Sequence, residues 1–224
     1  MVNMTVRALY GSFFKRILGS KKELFFSYPR YIMSRYLGFD FSLFGMSSDL
    51  SKLFDSDYKG FFVELGAADG IRQSNTALLE FQKKWSGLLI EPDPPAFYKC
   101  FKWRKKSVVL NNFISSKAVS CLANSGGDLQ NIGSRYIGAR SYATTCPLSS
   151  IFDALEIKEI DIISIDVEGA EIDVLSSIDF TKVDIKYILV ETDCVDAVTA
   201  ELPEQFSLIK KLSFHDYLFS SLVR

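Results

Sequence analysis

Two apolar runs, each ending in an acid, constrain this chain more than any other feature. Phe61-Phe62-Val63-Glu64-Leu65 runs into the small-residue turn Gly66-Ala67-Ala68-Asp69-Gly70. Leu88-Leu89-Ile90 runs into Glu91-Pro92-Asp93. Short unbroken apolar runs bounded by turn residues read as strands buried on both faces, the kind found in parallel sheets. Two parallel strands that deliver acids and a glycine-rich turn to one sheet edge make a nucleoside pocket.

The rest of the chain repeats this alternation. Strands are predicted at Val108–Asn111, Asp161–Ile165, Tyr187–Val190 and Tyr217–Ser220. Helices are predicted at Asn75–Lys84, Ala96–Arg104, Ser149–Leu155, Ala170–Ser177 and Pro203–Leu212. Ser74 or Asn75 suits the first helix as N-cap, and Ser150 and Asp153 have capping-box spacing. Phe97, Phe101 and Tyr98 are expected to face inward. Strands alternating with helices give an α/β fold with a mostly parallel sheet covered on both faces. Residues 122–145, rich in Gly, Ser and Asn and carrying Arg135 and Arg140, read either as a functional loop or as a β-hairpin over a sheet edge. The chain divides into a basic, aromatic extension (1–55) and one main domain (56–224).

Composition excludes several classes. With 224 residues, 48% hydrophobic, the chain can bury a sizeable core. A net charge of -1 gives no global field for nucleic acid. Cys100, Cys121, Cys146 and Cys194 show no Cys-x-x-Cys spacing, so they read as reduced thiols in a cytoplasmic protein, not a zinc site. Lys15 and Arg16 interrupt any apolar core in Met1–Leu18, so that segment does not read as a signal peptide. Residues 1–40 carry Arg7, Lys15, Arg16, Lys21, Lys22, Arg30 and Arg35 against Glu23 and Asp40, with aromatics between them. That stretch reads either as a helix packed on the main domain or as a peripheral contact with an anionic membrane or partner.

The glycine pattern narrows the cofactor. A dinucleotide fingerprint needs glycine at the first, third and sixth positions. Counted from Gly66, the third is Ala68 and the sixth is Ile71, and no P-loop lysine follows a strand. A nucleoside without phosphates fits better. Glu91 is placed to accept from both ribose hydroxyls. Glu64 or Asp69 suits a cationic ammonium, and Asn112, or Asn111 in the other register, suits an adenine edge. S-adenosylmethionine has these parts. Asp166, Glu191 and Asp193, at the ends of neighbouring strands, are expected to hold Mg2+, or Asp166 is itself the base. Glu168 and the lone histidine, His215, are further catalytic candidates. The basic run Lys99, Lys102, Arg104, Lys105 and Lys106 reads as an anion-steering patch or as a solvated helix face.

Three ordered blocks carry a family resemblance. They are Phe62-Val63-Glu64-Leu65-Gly66-Ala67-Ala68-Asp69-Gly70 with Ser74-Asn75-Thr76, then Leu89-Ile90-Glu91-Pro92-Asp93-Pro94, then Ser164-Ile165-Asp166-Val167-Glu168-Gly169-Ala170-Glu171. The chain resembles S-adenosylmethionine-dependent methyltransferases of the FkbM family from about Gly60 to Cys194. The resemblance implies a Rossmann-like class I fold with a mostly parallel seven-stranded sheet. It also implies O-methylation of a small-molecule or glycan hydroxyl, as in polysaccharide or natural-product biosynthesis. It places Glu64, Gly66, Ala67, Asp69, Gly70, Asn75, Glu91, Pro92, Asp93, Asn112 and Asp166 at the cofactor. The other reading is a binding or trafficking module that kept the fold without the chemistry.

Overall fold

The computed structural model describes residues 22–118, 120–124 and 140–221. Its strands, in chain order, are Phe61–Leu65 (β1), Ser86–Ile90 (β2), Val108–Leu110 (β3), Phe113–Ile114 (β4) and Ser120–Asn124 (β5). They continue with Arg140–Cys146 (β6), Glu159–Ile165 (β7), Asp184–Glu191 (β8), Ser207–Lys211 (β9) and Asp216–Ser220 (β10). Seven of them form one sheet in the order β3-β2-β1-β7-β8-β10-β9. Neighbours from β3 through β8 are parallel, and β10 runs antiparallel to both β8 and β9. The order reverses beside β1, so a crevice opens where β1 and β7 diverge at their carboxyl ends.

Strand alternation sorts the core into two layers. Val63 and Leu65 of β1, Leu88 and Ile90 of β2, and Ile163 and Ile165 of β7 pack with Leu148, Ile151, Phe152, Val174 and Leu175. These last come from the helices Leu148–Ala154 and Glu171–Ser176. Phe62, Leu89 and Ile162 point the other way, onto Met46, Leu50, Leu79, Trp85 and Cys100. The same period puts Glu64 on the Phe62 side, toward the helices Ala77–Phe81 and Pro94–Trp103. That placement decides its role.

The amino-terminal helix Lys22–Leu37 packs on this second layer. Tyr31 stacks on Trp103 with ring centroids 4.9 Å apart and meets Phe81 edge-on at 5.7 Å. Of the two readings of this stretch, residues 28–37 follow the packed one. Residues 1–21 lie outside the described residues.

Several local expectations need correction. Ser207–Lys211 is an edge strand, not part of a helix over Pro203–Leu212. Phe206, Leu208, Ile209 and Leu212 mimic a helical stripe, but hydrogen bonding to β10 takes over. The helix Val195–Glu201 adds an element with no counterpart in the expected pattern, since seven residues are too few to show a helical period. On the helix Pro94–Trp103, Cys100 and Trp103 are buried, while Tyr98 and Phe101 stand exposed. Thr76, not Ser74 or Asn75, occupies the N-cap of Ala77–Phe81. Ser150 lies inside the helix Leu148–Ala154, whose N-cap is Pro147, so no capping box forms. Strands β5 and β6 pair antiparallel, so the ends of segment 122–145 form a hairpin. Residues 125–139, where a lid would lie, are outside the described residues.

Candidate functional site

A cavity of about 570 Å³ opens at the carboxyl ends of β1, β2 and β7. That volume suits a small ligand or cofactor. Leu65, Gly66 and Ala68 line it from the first turn, and Ile90, Glu91, Pro92 and Asp93 from the second. Asn112, Phe113 and Ile114 follow β3, while Asp166, Val167 and Glu168 follow β7.

The floor is built by close backbone approach. Gly66 lies at φ 75°, and a Cβ there would sit 1.8 Å from the Asp166 carbonyl oxygen. Only glycine lets β1 and β7 meet this closely at the switch point. Gly66 N–H donates to the Ile90 carbonyl at 3.0 Å, tying the turn to β2. Asp69 Oδ1 accepts from the N–H groups of Ile71 and Arg72 and so shapes the turn.

Glu91 is the fixed acceptor of the cavity. Its Oε2 accepts from Ala68 N–H at 2.7 Å and its Oε1 from Asp93 N–H at 2.8 Å. Burial raises its pKa, and the Asp93 and Ala68 amides oppose that rise. Each oxygen keeps a second lone pair, so the carboxylate can still receive a diol. Asn111 Nδ2 donates to the carbonyls of Glu91 and Pro92, which settles it as a strand tie. Asn112 lines the cavity, and its amide is engaged with Cys146 Sγ and Phe113 N–H.

Glu64 stands outside the cavity lining. Its carboxylate accepts from Ser74 Oγ, Asn75 N–H and Thr76 Oγ1 at 2.9, 2.7 and 2.6 Å. Arg104, fully buried behind it, donates to Glu80, Gly70, Ser74 and Thr76. Glu64 therefore holds the Ser74–Thr76 segment against β1. Asn75 Nδ2 donates to Ser164 of β7. Ala67, Asp69, Gly70 and Asn75 are likewise not among the residues that line the cavity. Arg104 was read only as part of a surface run, because nothing in the sequence near it shows that two buried acids await it.

Asp166 and Glu191 are within hydrogen-bonding reach of one another. Burial, then the charges of Glu191, Glu168 and Asp216, push the Asp166 carboxyl up to about 8. Glu191 is raised too, by burial and then by Asp216, while its bond to Asp166 works against the rise. The Asp166 carboxyl is thus held well above the ordinary carboxylate range beside Glu191. Asp216, paired across strands with Glu191, is buried with Oδ1 unpartnered.

The expected cation site does not assemble. Asp193 is 92% exposed and pairs with His215 Nδ1 at 2.8 Å, away from Asp166. Among the described residues, no cluster of three His, Cys, Asp or Glu side chains has metal-binding geometry. His215 is outside the cavity lining, although its charge reaches Glu191, the neighbour of Asp166.

This geometry agrees with what the chain is similar to. Residues 64–214 match the family described as Methyltransferase FkbM domain. The chain belongs to the FkbM methyltransferase family. The FkbM methyltransferase of Methylobacillus flagellatus KT superposes with a TM-score of 0.50 at 15% identity. That alignment covers 78% of this chain but 47% of the other, so the chain spans about half the length of that relative. Aeropyrum pernix fibrillarin, solved with bound S-adenosyl-L-methionine, gives 0.45 at 9% identity, covering 77% of this chain and 71% of its own. A TehB-like methyltransferase from Corynebacterium glutamicum gives 0.47 at 9%, covering 90% and 96%. No curated protein matches the sequence. Within the FkbM family fold, the sheet order and antiparallel β10 are those of a Rossmann-like class I methyltransferase.

The cavity fits S-adenosylmethionine. Glu91, Asp93, Asp166 and Glu168 line it, and among the described residues no Lys or Arg does. Carboxyls without cations suit a nucleoside that carries positive charge and no phosphate. No helix among the described residues is long and apolar enough to cross a membrane.

Proposed function

We propose that this protein methylates a hydroxyl of a sugar-type acceptor, with S-adenosylmethionine as donor, in glycan, polysaccharide or natural-product assembly. The observation that supports the donor is the charge of the cavity. Among the described residues, four carboxyls and no lysine or arginine line it. A pyrophosphate would meet those carboxyls unshielded, whereas a sulfonium and an ammonium would be welcomed. When bound, the donor supplies a methyl group already attached to a good leaving group.

The chain's own residues would do the rest. Glu91, pinned by Ala68 and Asp93, would orient the ribose. The Gly66 turn admits the ligand backbone-close. Positioning two reactants in this way can supply about 7–11 kcal/mol of the barrier. Asp166, facing the cavity, is the group placed to take the acceptor's proton, with Glu191 stabilising the site next to it. We place the reaction in the cytoplasm, where the scattered cysteines of the sequence would stay reduced.

A second reading has one observation in its favour. The Asp166 carboxyl is pushed up to about 8 by burial and by Glu191, which a cofactor-binding module without chemistry would tolerate equally. Calorimetric titration with S-adenosylmethionine and with NAD, on the wild type and on Glu91→Ala, tests the donor. Binding of S-adenosylmethionine alone, lost in the variant, is expected. Tighter binding of NAD would overturn the reading. A screen of sugar acceptors with methyl-labelled donor, repeated on Asp166→Asn, then separates enzyme from module.

A further inference from the structure

One residue of the cavity wall has no task in the chemistry above. Gln73 lines the cavity, and its exposed side-chain amide bonds to no other described residue. Its backbone stands at φ 61°, in the left-handed region that a side chain disfavours. Ala68, on the same segment and also in the lining, stands at φ 46°. Backbone of this kind is uncommon outside glycine, and it clusters where ligands are clamped.

The strain at Gln73 is held from both sides. Its N–H donates to the Phe41 carbonyl at 2.9 Å. The Phe41 loop is itself fixed by Asp40, whose Oδ1 accepts from Ser42 N–H and Oγ and whose Oδ2 accepts from Ser48 N–H at 2.7 Å. On the other side, Ser74 Oγ donates to Glu64 at 2.9 Å and accepts from Arg104. A loop of the amino-terminal segment and the buried Arg104 network together keep one neutral amide at the cavity wall.

The shape of the donor decides what that amide meets. The sheet sets β3, β2, β1 and β7 side by side. Asn112 follows β3 and Glu91 follows β2, so base and ribose belong over those two strands. The amino-acid tail, joined to the ribose through sulfur, then crosses the β1 turn toward β7. The segment from Gly66 to Gln73 forms that wall. The tail ends in an ammonium and a carboxylate. Glu91, Asp93, Asp166 and Glu168 suit the ammonium but repel the carboxylate. The carboxylate needs N–H donors instead. Among the described lining side chains, only Gln73 and Asn112 carry N–H groups. Asn112 is at the base end, and its amide is engaged by Cys146 Sγ at 2.9 Å. Gln73 is at the tail end with its amide open. Arg72, next to it in the chain, is exposed and outside the lining, and its charge favours an anion at this end of the cavity.

We propose that Gln73 is the carboxylate clamp of the donor site. Its side-chain amide donates to the amino-acid carboxylate of S-adenosylmethionine and fixes the tail against the β1 turn. The clamp rests on S-adenosylmethionine being the donor. The test is calorimetric titration with S-adenosylmethionine and with its decarboxylated form, which lacks only the carboxylate. Gln73→Asn tolerates the left-handed backbone and draws the amide back by one methylene. It should lose about ten-fold in affinity for S-adenosylmethionine, as expected for a hydrogen bond to a charged group. Its affinity for the decarboxylated form should stay within about two-fold of wild type. Gln73→Glu, equal in length, sets carboxylate against carboxylate. It should lose more than Gln73→Asn toward S-adenosylmethionine and lose nothing toward the decarboxylated form. Equal losses for the two ligands would make Gln73 a purely structural residue and overturn the proposal. So would variants that bind both ligands as wild type does, or a selective loss found in Arg72→Ala and not in Gln73→Asn. Wild-type protein that binds neither ligand would remove the donor reading, and the clamp with it. Wild-type binding that both Gln73 variants retain would remove the clamp alone.

Discussion

Arg104 Nε donates to Glu80 Oε2 at 2.9 Å, and neither side chain touches solvent. The same guanidinium reaches the Gly70 carbonyl at 3.0 Å and the hydroxyls of Ser74 and Thr76 at 2.9 Å each. Burial works against its charge, yet Glu80 and Glu64 hold its pKa above the ordinary value. Replacing Arg104 with methionine would strand two buried carboxylates. Breaking a buried pair in this way costs about 3–5 kcal/mol. We expect Arg104→Met to lose stability of that order in urea denaturation. Arg104→Lys should recover only part of it, because an ammonium lacks the fork of donors. A loss below about 1 kcal/mol would show that the network is dispensable.

Gly66 makes a second, steric prediction. A methyl group at this position meets the Asp166 carbonyl at 1.8 Å, and backbone cannot rotate out of the way as a side chain can. Gly66→Ala must push β1 and β7 apart where the cavity floor forms. Donor binding should be lost, with a melting temperature well below wild type. Gly70→Ala meets Arg104 Cγ at 2.8 Å and Cys100 Sγ at 2.9 Å, so it too should lower the melting temperature. Gly66→Ala protein that binds S-adenosylmethionine normally in calorimetry would contradict the close approach.

His215 offers a negative prediction. It pairs with exposed Asp193 at 2.8 Å outside the cavity lining. A histidine so placed is held by Asp193 and does not line the cavity where the acceptor would sit. His215→Ala should change kcat/KM by less than about two-fold, below the 10²–10⁴ of a general base. A hundred-fold loss in a steady-state assay would restore it as a base.

The contrast between Glu91 and Glu64 explains how much was legible. Both end apolar runs before a turn, and in sequence they look alike. Glu91 follows the last residue of β2 and turns into the cavity. Glu64 is still within β1, and the two-residue period sends it into the helix layer with Phe62. Its partner Arg104 is 40 residues away, a distance over which sequence pattern carries no contact information. Unbroken apolar runs made β1, β2, β7 and β8 readable, because burial on both faces leaves few alternatives. Edge strand β9 was not, since its residues are exposed and its pairing to β10 alone sets its conformation. Asp166 follows the end of β7 as the sequence suggests, but its closeness to Glu191 needs the register of β7 against β8.

That closeness of Asp166 to Glu191 gives the last prediction. In the unfolded chain an aspartate titrates near 3.9, whereas folding pushes Asp166 up to about 8. Between those values the folded state binds more protons than the unfolded state. Stability from this group is therefore complete below about pH 4 and is lost as pH rises through about 8. Asp166→Asn cannot ionise, so it should exceed wild type in melting temperature at pH 8, and the gap should close toward pH 4. Activity runs the opposite way. A base must be ionised, so kcat/KM should climb with pH up to a plateau above about 8. Glu191→Gln removes a neighbouring negative charge, which should move the climb to lower pH, with Glu168 and Asp216 still holding it above an ordinary carboxylate. Asp166→Asn should abolish the climb together with the activity. A wild-type profile flat from pH 6 to 9, or one that Glu191→Gln leaves in place, would rule out Asp166 as the base.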